Sequence, residues 1–471
     1  MQINQRAFDM KKLILTQCLL VMLLSSCLVG KRYSRPVIET PANYLTVDST
    51  VIIADSAISA VVAAGDTTIN LQWFQLFGDT VLNALITQAL DTNTNLRIAA
   101  MRVNQSRSVY SNSKANLLPS IGYSASGEIN DPADDYFDLL GTASWEIDFW
   151  GKLRHAKRAA YAEMLASEDG LKVVKTTLVS DVANLYFLMR DLDNRIDVSK
   201  QTLVSRTLYY NMVNARFLKG EAAELDKLQA EQLLAQVEAT LNLLRRELSI
   251  TERSLNVLLG QNPQPIPRGF QNADQVTIPE IPAGLPSTLL QQRPDVRAAE
   301  NLLVSETERI GIAQAMRLPS FSLTAFFGVA SADLNNLLYN ESLVGGLTGM
   351  ITGPLFEFGK NKRRVDIQRA ETEIALNNFL NTYRTALGDV ENALVGIKSY
   401  REEHAARMRQ VLAARKALML TKAKYDSGYS SYLEVLIAES YTFDAEMLLS
   451  VIRAQQLGAT VSLYRALGGG W

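Results

Sequence analysis

Few residues of this chain have the types and spacing that chemistry at a protein site requires. The two histidines, His155 and His404, are isolated, and neither has a second histidine at the spacing of a zinc motif. We expect each to lie on the surface of a helix. The sequence contains no nucleophile elbow and no phosphate-binding glycine loop. It therefore predicts neither an enzyme nor a bound cofactor or metal ion.

Three aspartates cluster in one predicted loop, beside a proline. Asp131, Asp134 and Asp135 carry the carboxylate oxygens that divalent cations prefer, but a calcium loop requires a defined spacing of several ligands. These aspartates have no such spacing. The pattern favours a solvated loop over a divalent-ion site.

The N-terminus has the pattern of an exported protein. Basic residues precede an apolar run at 13–24, which is too short to span a bilayer as a helix and fits a secretory signal. The run ends in Leu24-Ser25-Ser26-Cys27, which resembles a bacterial lipobox. We therefore expect Cys27 to be lipidated and to become the first residue of the mature chain. An ordinary signal peptide that contains a cysteine is the alternative, and either Met1 or Met10 fits as the start.

Composition and cysteine usage limit the function further. The 471 residues include 20% charged and 47% hydrophobic residues with a formal net charge of -2, so no basic excess indicates a nucleic-acid partner. The sequence has two cysteines, Cys18 and Cys27, and Cys18 lies in the segment predicted to be removed. The mature chain therefore has no disulfide, and packing and assembly must stabilise it.

The second half of the chain repeats the first. Ala215–Gly220 is matched by Ala423–Gly428, 208 positions later. Nearer the start of each half the offset is 200, because Leu118–Ser120 matches Leu318–Ser320. The second half therefore carries a net eight extra residues between Ser320 and Gly359. One structural module is predicted to be used twice.

Four segments are predicted to be β-strands: Ser120–Gly127, Thr142–Phe149, Ser320–Phe327 and about 344–358. Alternation of apolar and polar residues over about ten positions has the period of a strand with one wet and one apolar face, and the length that crosses a bilayer. A soluble sandwich is the alternative. However, each half has only two strands, and a two-stranded ribbon is not independently stable. The strands therefore need further copies of the chain to close a sheet.

The rest of each half is predicted to be helical. No proline occurs from Lys152 to about Leu218 or from Lys360 to about Tyr425, so each stretch predicts a continuous helix of about 100 Å. The helix after Gly220 has apolar residues at alternating steps of four and three, which predicts coiled-coil packing. Its seam consists of Ala230, Leu234, Val237, Leu241, Leu244, Leu248, Thr251, Leu255 and Leu258. Gly220 and Gly428 are expected to mark the turns between helices.

These patterns divide the chain into five segments. They are a lipoprotein signal peptide at 1–26, an N-terminal lipid-attached extension at 27–72, a first repeat at 73–260, a proline-rich linker at 261–286 and a second repeat at 287–471. The six prolines of the linker predict an extended connector between the two modules.

Motifs along nearly all of the mature chain resemble those of the TolC-like outer-membrane efflux channels. They lie at Trp73–Asp79, Trp145–Gly151, Leu285–Leu290, Arg293–Glu300, Gly353–Phe356 and Leu463–Trp471. The Arg-Pro-Asp block at 293–295 and the C-terminal Leu-Gly-Gly-Gly-Trp are the most specific. The resemblance is to the lipoprotein branch of the family, which serves resistance-nodulation-division pumps.

The resemblance implies a mainly α fold with a transmembrane β-barrel. Each chain would contribute four strands to the twelve-stranded barrel of a homotrimer, and the duplicated helical hairpins would continue it as a periplasmic tunnel. The chain would be a lipid-anchored protein of the bacterial outer membrane that passively conducts small molecules such as drugs and toxic compounds. A periplasmic adaptor protein and an inner-membrane pump would be its partners.

The resemblance also implies roles for residues near the two turns. The family closes the periplasmic end of the tunnel with acidic rings and uses the turns to contact the adaptor. Aligned on Gly428, the gate and pore candidates are Asp226, Glu434, Tyr425 and Ile437, where Ile437 replaces an aspartate that the family often has. The docking candidates are Phe217, Gly220, Tyr425 and Gly428. The alternatives are carboxylates that pair with bases such as Lys227, and turns without a docking role.

Two functions fit these inferences. A passive efflux duct explains the strands, the duplication and the helices together. The alternative is a periplasmic coiled-coil scaffold or adaptor lipoprotein whose strands form a small soluble domain. Strands with aromatic residues such as Trp145 and Phe327 on their apolar face favour the duct.

Overall fold

The computed structural model describes residues 29–30, 33–38, 74–75, 77–129, 135–269 and 293–469. The predicted signal peptide, Cys27, Asp131, Asp134 and most of the linker lie outside the described residues. The helices are α1 (Thr80–Thr92), α2 (Thr94–Ala115), α3 (Lys152–Leu218), α4 (Glu224–Leu258), α5 (Pro294–Ala315), α6 (Lys360–Asp426) and α7 (Tyr432–Ala466). The strands are β1 (Ser120–Glu128), β2 (Tyr136–Ile147), β3 (Ser320–Ser331) and β4 (Leu343–Thr352).

The chain forms two compact units, each built from separate segments of the sequence. The first unit consists of Met1–Ile38, Ala100–Gly170 and Arg297–Thr382, and it contains all four of these strands. The second unit consists of Glu39–Ala99, Leu171–Val296 and Tyr383–Trp471. It contains α1, α4 and α7 with most of α3 and α6.

The long helices confirm the expectation from the proline-free stretches. The helices α3 and α6 have 67 residues each, and α4 and α7 have 35 each. The duplicated sequence therefore reproduces helix lengths residue for residue. In the described part of the chain, no helix is long and apolar enough to cross a membrane.

The core of the second unit follows the predicted seam of α4. Ala230, Val237, Leu241, Leu244 and Leu255 are buried in this helix. Ala230, Leu241, Leu244 and Leu255 pack in clusters with apolar residues of α3, and α7 contributes to the same clusters. Burying these side chains stabilises the fold by about 1.5–3 kcal/mol for each large one. The coiled-coil packing of the return helix is thus confirmed.

The four strands form one antiparallel sheet in the order β1-β2-β3-β4. Three predicted strand boundaries were wrong, and the smallest of these errors is at the third strand, which ends at Ser331 rather than Phe327. The second strand begins at Tyr136 rather than Thr142, because Tyr136 pairs with Glu128 across the first hairpin. The fourth strand ends at Thr352 rather than near Phe358. Pro354 follows and lacks the N–H that the ladder requires, and Gly353 packs so closely on Pro319 that a Cβ would lie 2.7 Å from its Cα.

The register gives the sheet one polar and one apolar face. The partners Ser120 and Ser144, and Ser144 and Thr324, place hydroxyl side chains on the same face. The neighbouring positions Trp145 and Leu323 pair on the opposite face. The predicted alternation of the strands is therefore present in three dimensions.

Two sequence motifs form helix caps. Asp148 accepts from the backbone N–H groups of Leu153 at 3.0 Å and Arg154 at 2.9 Å, which satisfies the start of α3. The buried Arg293 donates to the carbonyl of Ala466 at 2.8 Å, near the end of α7, and pairs with Asp295 at 2.7 Å. The Arg-Pro-Asp block therefore stabilises a helix terminus in the second unit.

The prediction that His155 lies on the surface of a helix was wrong. Its side chain is buried, with only 2% of its surface exposed. Its Nδ1 lies 2.5 Å from Oε2 of Glu308, and its Nε2 donates to the carbonyl of Val29 at 3.1 Å. Gly311 makes room for the ring, because a Cβ there would lie 2.5 Å from it. The sequence shows no local sign of this site because its partners are more than 100 residues away.

Candidate gate and docking site at the helical turns

The turns after α3 and α6 have the same backbone geometry. Gly220 and Gly428 have φ angles of 77° and 78°, in the left-handed region that glycine adopts at no steric cost. Gly220 N–H donates to the carbonyl of Phe217, and Gly428 N–H donates to that of Tyr425, both at 2.9 Å. The N–H of the following residue reaches back five positions in each turn. Both helices therefore end in a Schellman motif.

The two candidate gate carboxylates lie in the first turns of the return helices. Asp226 accepts from the backbone N–H of Ala223 at 3.4 Å, and Glu434 accepts from the hydroxyl of Ser430 at 2.6 Å. Both side chains are exposed. A carboxylate is favourable at a helix N-terminus, so both residues are suited to the first turn of a helix.

The structure does not support the pairing of Asp226 with Lys227. Nζ of Lys227 lies 5.3 Å from the ring centroid of Phe217, which is a cation–π contact across the first turn. Within the described residues, neither Asp226 nor Glu434 forms an ion pair. Both carboxylates therefore face solvent, and Phe217 is half-buried under the lysine.

An aromatic cluster stabilises the second turn. The rings of Tyr209 and Tyr432 stack with centroids 3.8 Å apart, and Tyr425 meets Tyr432 edge to face at 4.9 Å. Burial raises the pKa of Tyr432 to about 12, so its hydroxyl is neutral. Sequence reasoning singled out Tyr425 but missed Tyr209 and Tyr432. The signal for Tyr432 was its place beside the turn at the first position of α7.

Glu434 and Ile437 line a surface groove between α6 and α7. Its other walls are Tyr441 and a set of alanines, Ala413, Ala414, Ala417 and Ala438. Ile437 and Tyr441 are exposed, with 46% and 68% of their surfaces open. Small residues on one wall and apolar residues on the other allow close approach of a further helix. The structure thus brings two of the predicted gate residues together in one groove.

Farther along the same helices lies a buried polar cluster that sequence reasoning missed. Nη1 of Arg206 donates to the carbonyl of Leu233 at 2.7 Å, and Nη2 donates to the hydroxyl of Ser440 at 2.9 Å. Glu439 accepts from the hydroxyl of Ser205 at 2.7 Å and pairs with Lys422 at 2.9 Å. These bonds join α3, α4, α6 and α7, so one polar cluster connects all four long helices.

Burial lowers the pKa of Arg206 from its ordinary value, and the neighbouring carboxylates Glu439 and Asp444 oppose that effect. Its guanidinium also lies 5.9 Å from the ring centroid of Phe443. Removal of any one of these partners would leave the buried charge of Arg206 less well compensated and would destabilise the fold. The cluster therefore favours one arrangement of the four helices over others.

Comparison with known proteins identifies the family. The family model described as outer membrane efflux protein matches residues 85–261 and 285–469, which is most of the chain. The chain belongs to the outer membrane efflux protein family.

Individual relatives agree with that assignment. The solvent efflux pump outer membrane protein SrpC of Pseudomonas putida is 31% identical, with 84% of this chain and 87% of that protein covered. The cation efflux system protein CusC of Escherichia coli O6:H1 is 30% identical, with 95% of this chain and 96% of that protein covered. The open-state crystal structure of the MtrE outer membrane channel of Neisseria gonorrhoeae is 28% identical, with a TM-score of 0.83 over 94% of this chain and 98% of that one.

These similarities confirm the predicted fold class, location and broad function. The duplicated module of long helical hairpins and paired strands is the fold of outer-membrane efflux channels. The chain is an outer-membrane efflux protein, located in the bacterial outer membrane. The roles predicted for Phe217, Gly220, Asp226, Tyr425, Gly428, Glu434 and Ile437 stay predictions.

Proposed function

We propose that three copies of this chain form the passive exit duct of a tripartite efflux system. The observation that carries the proposal is the single sheet with one polar face, one apolar face and two open edges. The edge strands β1 and β4 leave rows of backbone N–H and C=O groups without a partner strand in this sheet. Lipid cannot satisfy such groups, so a membrane-spanning sheet must close on itself.

Three copies close the sheet with twelve antiparallel strands, each β4 pairing with the β1 of its neighbour. Large apolar side chains on these edges support membrane exposure. Ile121 of β1 has 86% of its surface exposed, and Leu347 and Ile351 of β4 have 69% each. In the register all three lie on the apolar face, which in a closed barrel contacts lipid.

The partners are a periplasmic adaptor protein, which docks on the helical turns, and an inner-membrane pump of the resistance-nodulation-division class, which supplies the energy. The turns carry exposed apolar side chains that a partner would cover. Leu218, Leu225 and Tyr429 have 75%, 63% and 86% of their surfaces exposed. Exposed apolar residues grouped at one place mark an interaction site.

The cargo consists of small organic and other toxic compounds that the pump delivers. The relatives differ in this respect, since one is named for solvent efflux and another for cation efflux. The duct therefore accommodates chemically different solutes across the family, and selection falls to the pump.

The alternative, a periplasmic scaffold or adaptor lipoprotein, leaves the open sheet edges and the apolar face without a role. Native mass spectrometry of the detergent-extracted protein tests the proposal. We expect a trimer with bound detergent or lipid. A stable folded monomer would contradict the duct and favour the scaffold.

A further inference from the structure

The helix α3 of the first repeat packs on α5 of the second repeat along one buried seam. The residues of this α3 seam follow one another at alternating steps of four and three, so they lie on one side of the helix. They are His155, Ala159, Ala162, Ala166 and Asp169, and all five are buried. At the two ends of the seam, His155 meets Glu308 of α5 at 2.5 Å, and Asp169 accepts from Asn301 of α5 at 3.3 Å. The helix α5 therefore lies along the whole α3 seam.

The α5 side of this interface is polar. Ser305 and Glu308 are buried, and the hydroxyl of Ser305 donates to Glu163 of α3 at 2.9 Å. Arg309 pairs with the same carboxylate. Hydrogen bonds and ion pairs therefore join the two repeats within the chain, and the alanines of α3 allow the two helices to approach closely.

The equivalent seam on α6 is exposed. The helix α6 has the same length as α3 and begins 208 positions later. The residues of this α6 seam are Arg363, Ile367, Ala370, Ile374 and Asn377, and all five are exposed. Ile367 and Ile374 have 64% and 55% of their surfaces open, whereas Ala159 and Ala166 at the equivalent positions have 4% and 7%. The α6 seam therefore carries larger apolar residues than the α3 seam, and no helix of the described chain covers it.

On α2, the side that corresponds to the α3-facing side of α5 is also exposed. Both helices have 22 residues, and α2 begins 200 positions before α5. The residues of α2 that are equivalent to Asn301, Ser305, Glu308 and Arg309 are Met101, Gln105, Ser108 and Val109. All four are exposed, with 61% of the surface of Met101 and 48% of that of Val109 open. Apolar residues on α2 thus replace the amide and the guanidinium that α5 presents to α3.

The contacts of α2 and α6 within the chain use other positions of these helices. The ring centroid of Tyr110 in α2 lies 5.2 Å from that of Tyr161 in α3, and Gln368 of α6 donates to Glu306 of α5 at 2.6 Å. The helix segments of the first unit therefore form a row in the order α2, α3, α5 and α6. The row begins at α2 and ends at α6, just as the sheet begins at β1 and ends at β4.

We propose that the α6 seam of one copy packs on α2 of the next copy, with Ile367 and Ile374 against Met101 and Val109. The occupant of the seam is a second copy of this chain because the first repeat shows the same seam covered by the equivalent helix. The inference rests on the proposed function, in which β4 of one copy pairs with β1 of the next. That pairing brings α6, which follows β4, to α2, which precedes β1.

The contacts within the chain give the register of this interface. Glu163 of α3 meets Ser305 of α5. Glu371 lies 208 positions after Glu163, and Gln105 lies 200 positions before Ser305. Glu371 of one copy and Gln105 of the next copy should therefore face each other.

The two interfaces differ in a way that association requires. Separate molecules lose translational and rotational freedom when they associate, whereas α3 and α5 belong to one chain. Interfaces of permanent oligomers are accordingly more apolar, and the isoleucines of the α6 seam supply the additional apolar area. Packed on α5 of another copy, the same isoleucines would leave Glu308 and Arg309 without their partners. The side chains therefore favour a ring in which the two repeats alternate.

Cysteine crosslinking of the full chain in outer membranes tests the interface, because the sequence has no cysteine after Cys27. Gln105→Cys and Glu371→Cys would be combined in one chain, since both positions are exposed. The matched control combines Gln105→Cys with Glu373→Cys, which is exposed but lies on another side of α6. Wild type controls for linkage through Cys27, and mild oxidation and a short bismaleimide are the two crosslinking treatments.

We expect the 105/371 pair to give covalent dimers and trimers on a non-reducing denaturing gel. The 105/373 pair and each single variant should remain monomeric on the same gel. A trimer by native mass spectrometry whose 105/371 pair is not linked by either treatment overturns the interface and leaves the duct standing. Linkage of the Gln105→Cys single variant also overturns it, because two α2 helices would then face each other. A folded monomer by native mass spectrometry overturns both proposals.

Discussion

At the scale of single residues, the two repeats use equivalent positions in different ways. Glu231 and Glu439 are 208 positions apart and correspond in the duplicated sequence, yet Glu231 is exposed and Glu439 is buried. Glu439 is held by Ser205 and Lys422, which lie on other helices. Contacts with other helices therefore determine the environment of each of these two glutamates. Equivalent residues of the two repeats can differ in burial and in their partners.

Asp191 gives the second unit a pH-dependent stability. Its side chain is buried, accepts from Ser450 at 2.6 Å and pairs with Arg195 at 3.4 Å. Burial raises the pKa of Asp191 above its ordinary value, against the lowering effect of both partners. The folded state therefore binds a proton more tightly than the unfolded state, and the contribution of Asp191 to stability grows as pH falls through the raised pKa.

We predict that wild type gains stability relative to Asp191→Asn as pH is lowered from about 7 toward the ordinary pKa of an aspartate. The gain should approach about 1.4 kcal/mol per pH unit within the window between the two pKa values. Thermal unfolding of both proteins across this range measures it. Asp197→Asn, at an exposed position paired with Lys200, is the matched control and should follow wild type. Parallel curves for wild type and Asp191→Asn would contradict the prediction.

The charges of Asp226 and Glu434 should govern ion selectivity. If three copies surround the periplasmic end, six exposed carboxylates create a field that attracts cations and disfavours anions. We predict that Asp226→Asn combined with Glu434→Gln weakens cation preference and block by multivalent cations in single-channel recordings. Glu231→Gln, at another exposed position of α4, is the control. Unchanged selectivity in the double variant would place the carboxylates away from the pore.

At the scale of elements, the sequence predicted helices and turns better than strand ends and buried polar contacts. Periodicity and missing prolines located α3 and α6 to within a residue, because both signals are local. The end of β4 depended on close packing between Gly353 and Pro319, which lie 34 positions apart. Arg206 meets Ser440 across 234 positions. Contacts of this kind leave no pattern in the neighbouring sequence.

The turns themselves permit a direct test of docking. We predict that Gly220→Val with Gly428→Val abolishes adaptor crosslinking while the trimer remains in the membrane. A Cβ at either glycine meets no atom within 4 Å, so the effect comes from backbone strain alone. A β-branched residue in the left-handed region costs about 1–2 kcal/mol and distorts the turn. Gly388→Val, where a Cβ also meets nothing within 4 Å and the glycine is helical, is the control. Retained crosslinking in the double variant would exclude the turns from the interface.

At the scale of the whole molecule, the predicted lipid anchor precedes a segment that is fixed to the first unit. Glu300 of α5 accepts from the hydroxyl of Tyr33 at 3.1 Å and pairs with Arg35 at 2.8 Å. The N–H of Val29 donates to the carbonyl of Trp150 at 3.3 Å. Val29, the second residue after Cys27 in the sequence, is therefore held by the unit that contains the strands.

Two attachments to the membrane should therefore act together, and removal of Cys27 separates them. Acyl chains add membrane affinity in proportion to their buried methylene groups, whereas a closed barrel is held by its whole apolar face. We predict that Cys27→Ala abolishes the acyl mass on the mature N-terminus, as measured by intact mass spectrometry, yet leaves a protein that only detergent extracts from outer membranes. Wild type, extracted in parallel, should carry the acyl mass on Cys27. Release of the Cys27→Ala protein from the membrane by salt or alkali would mean that the lipid is the principal membrane attachment of the wild type. It would also mean that the strands do not enter the bilayer.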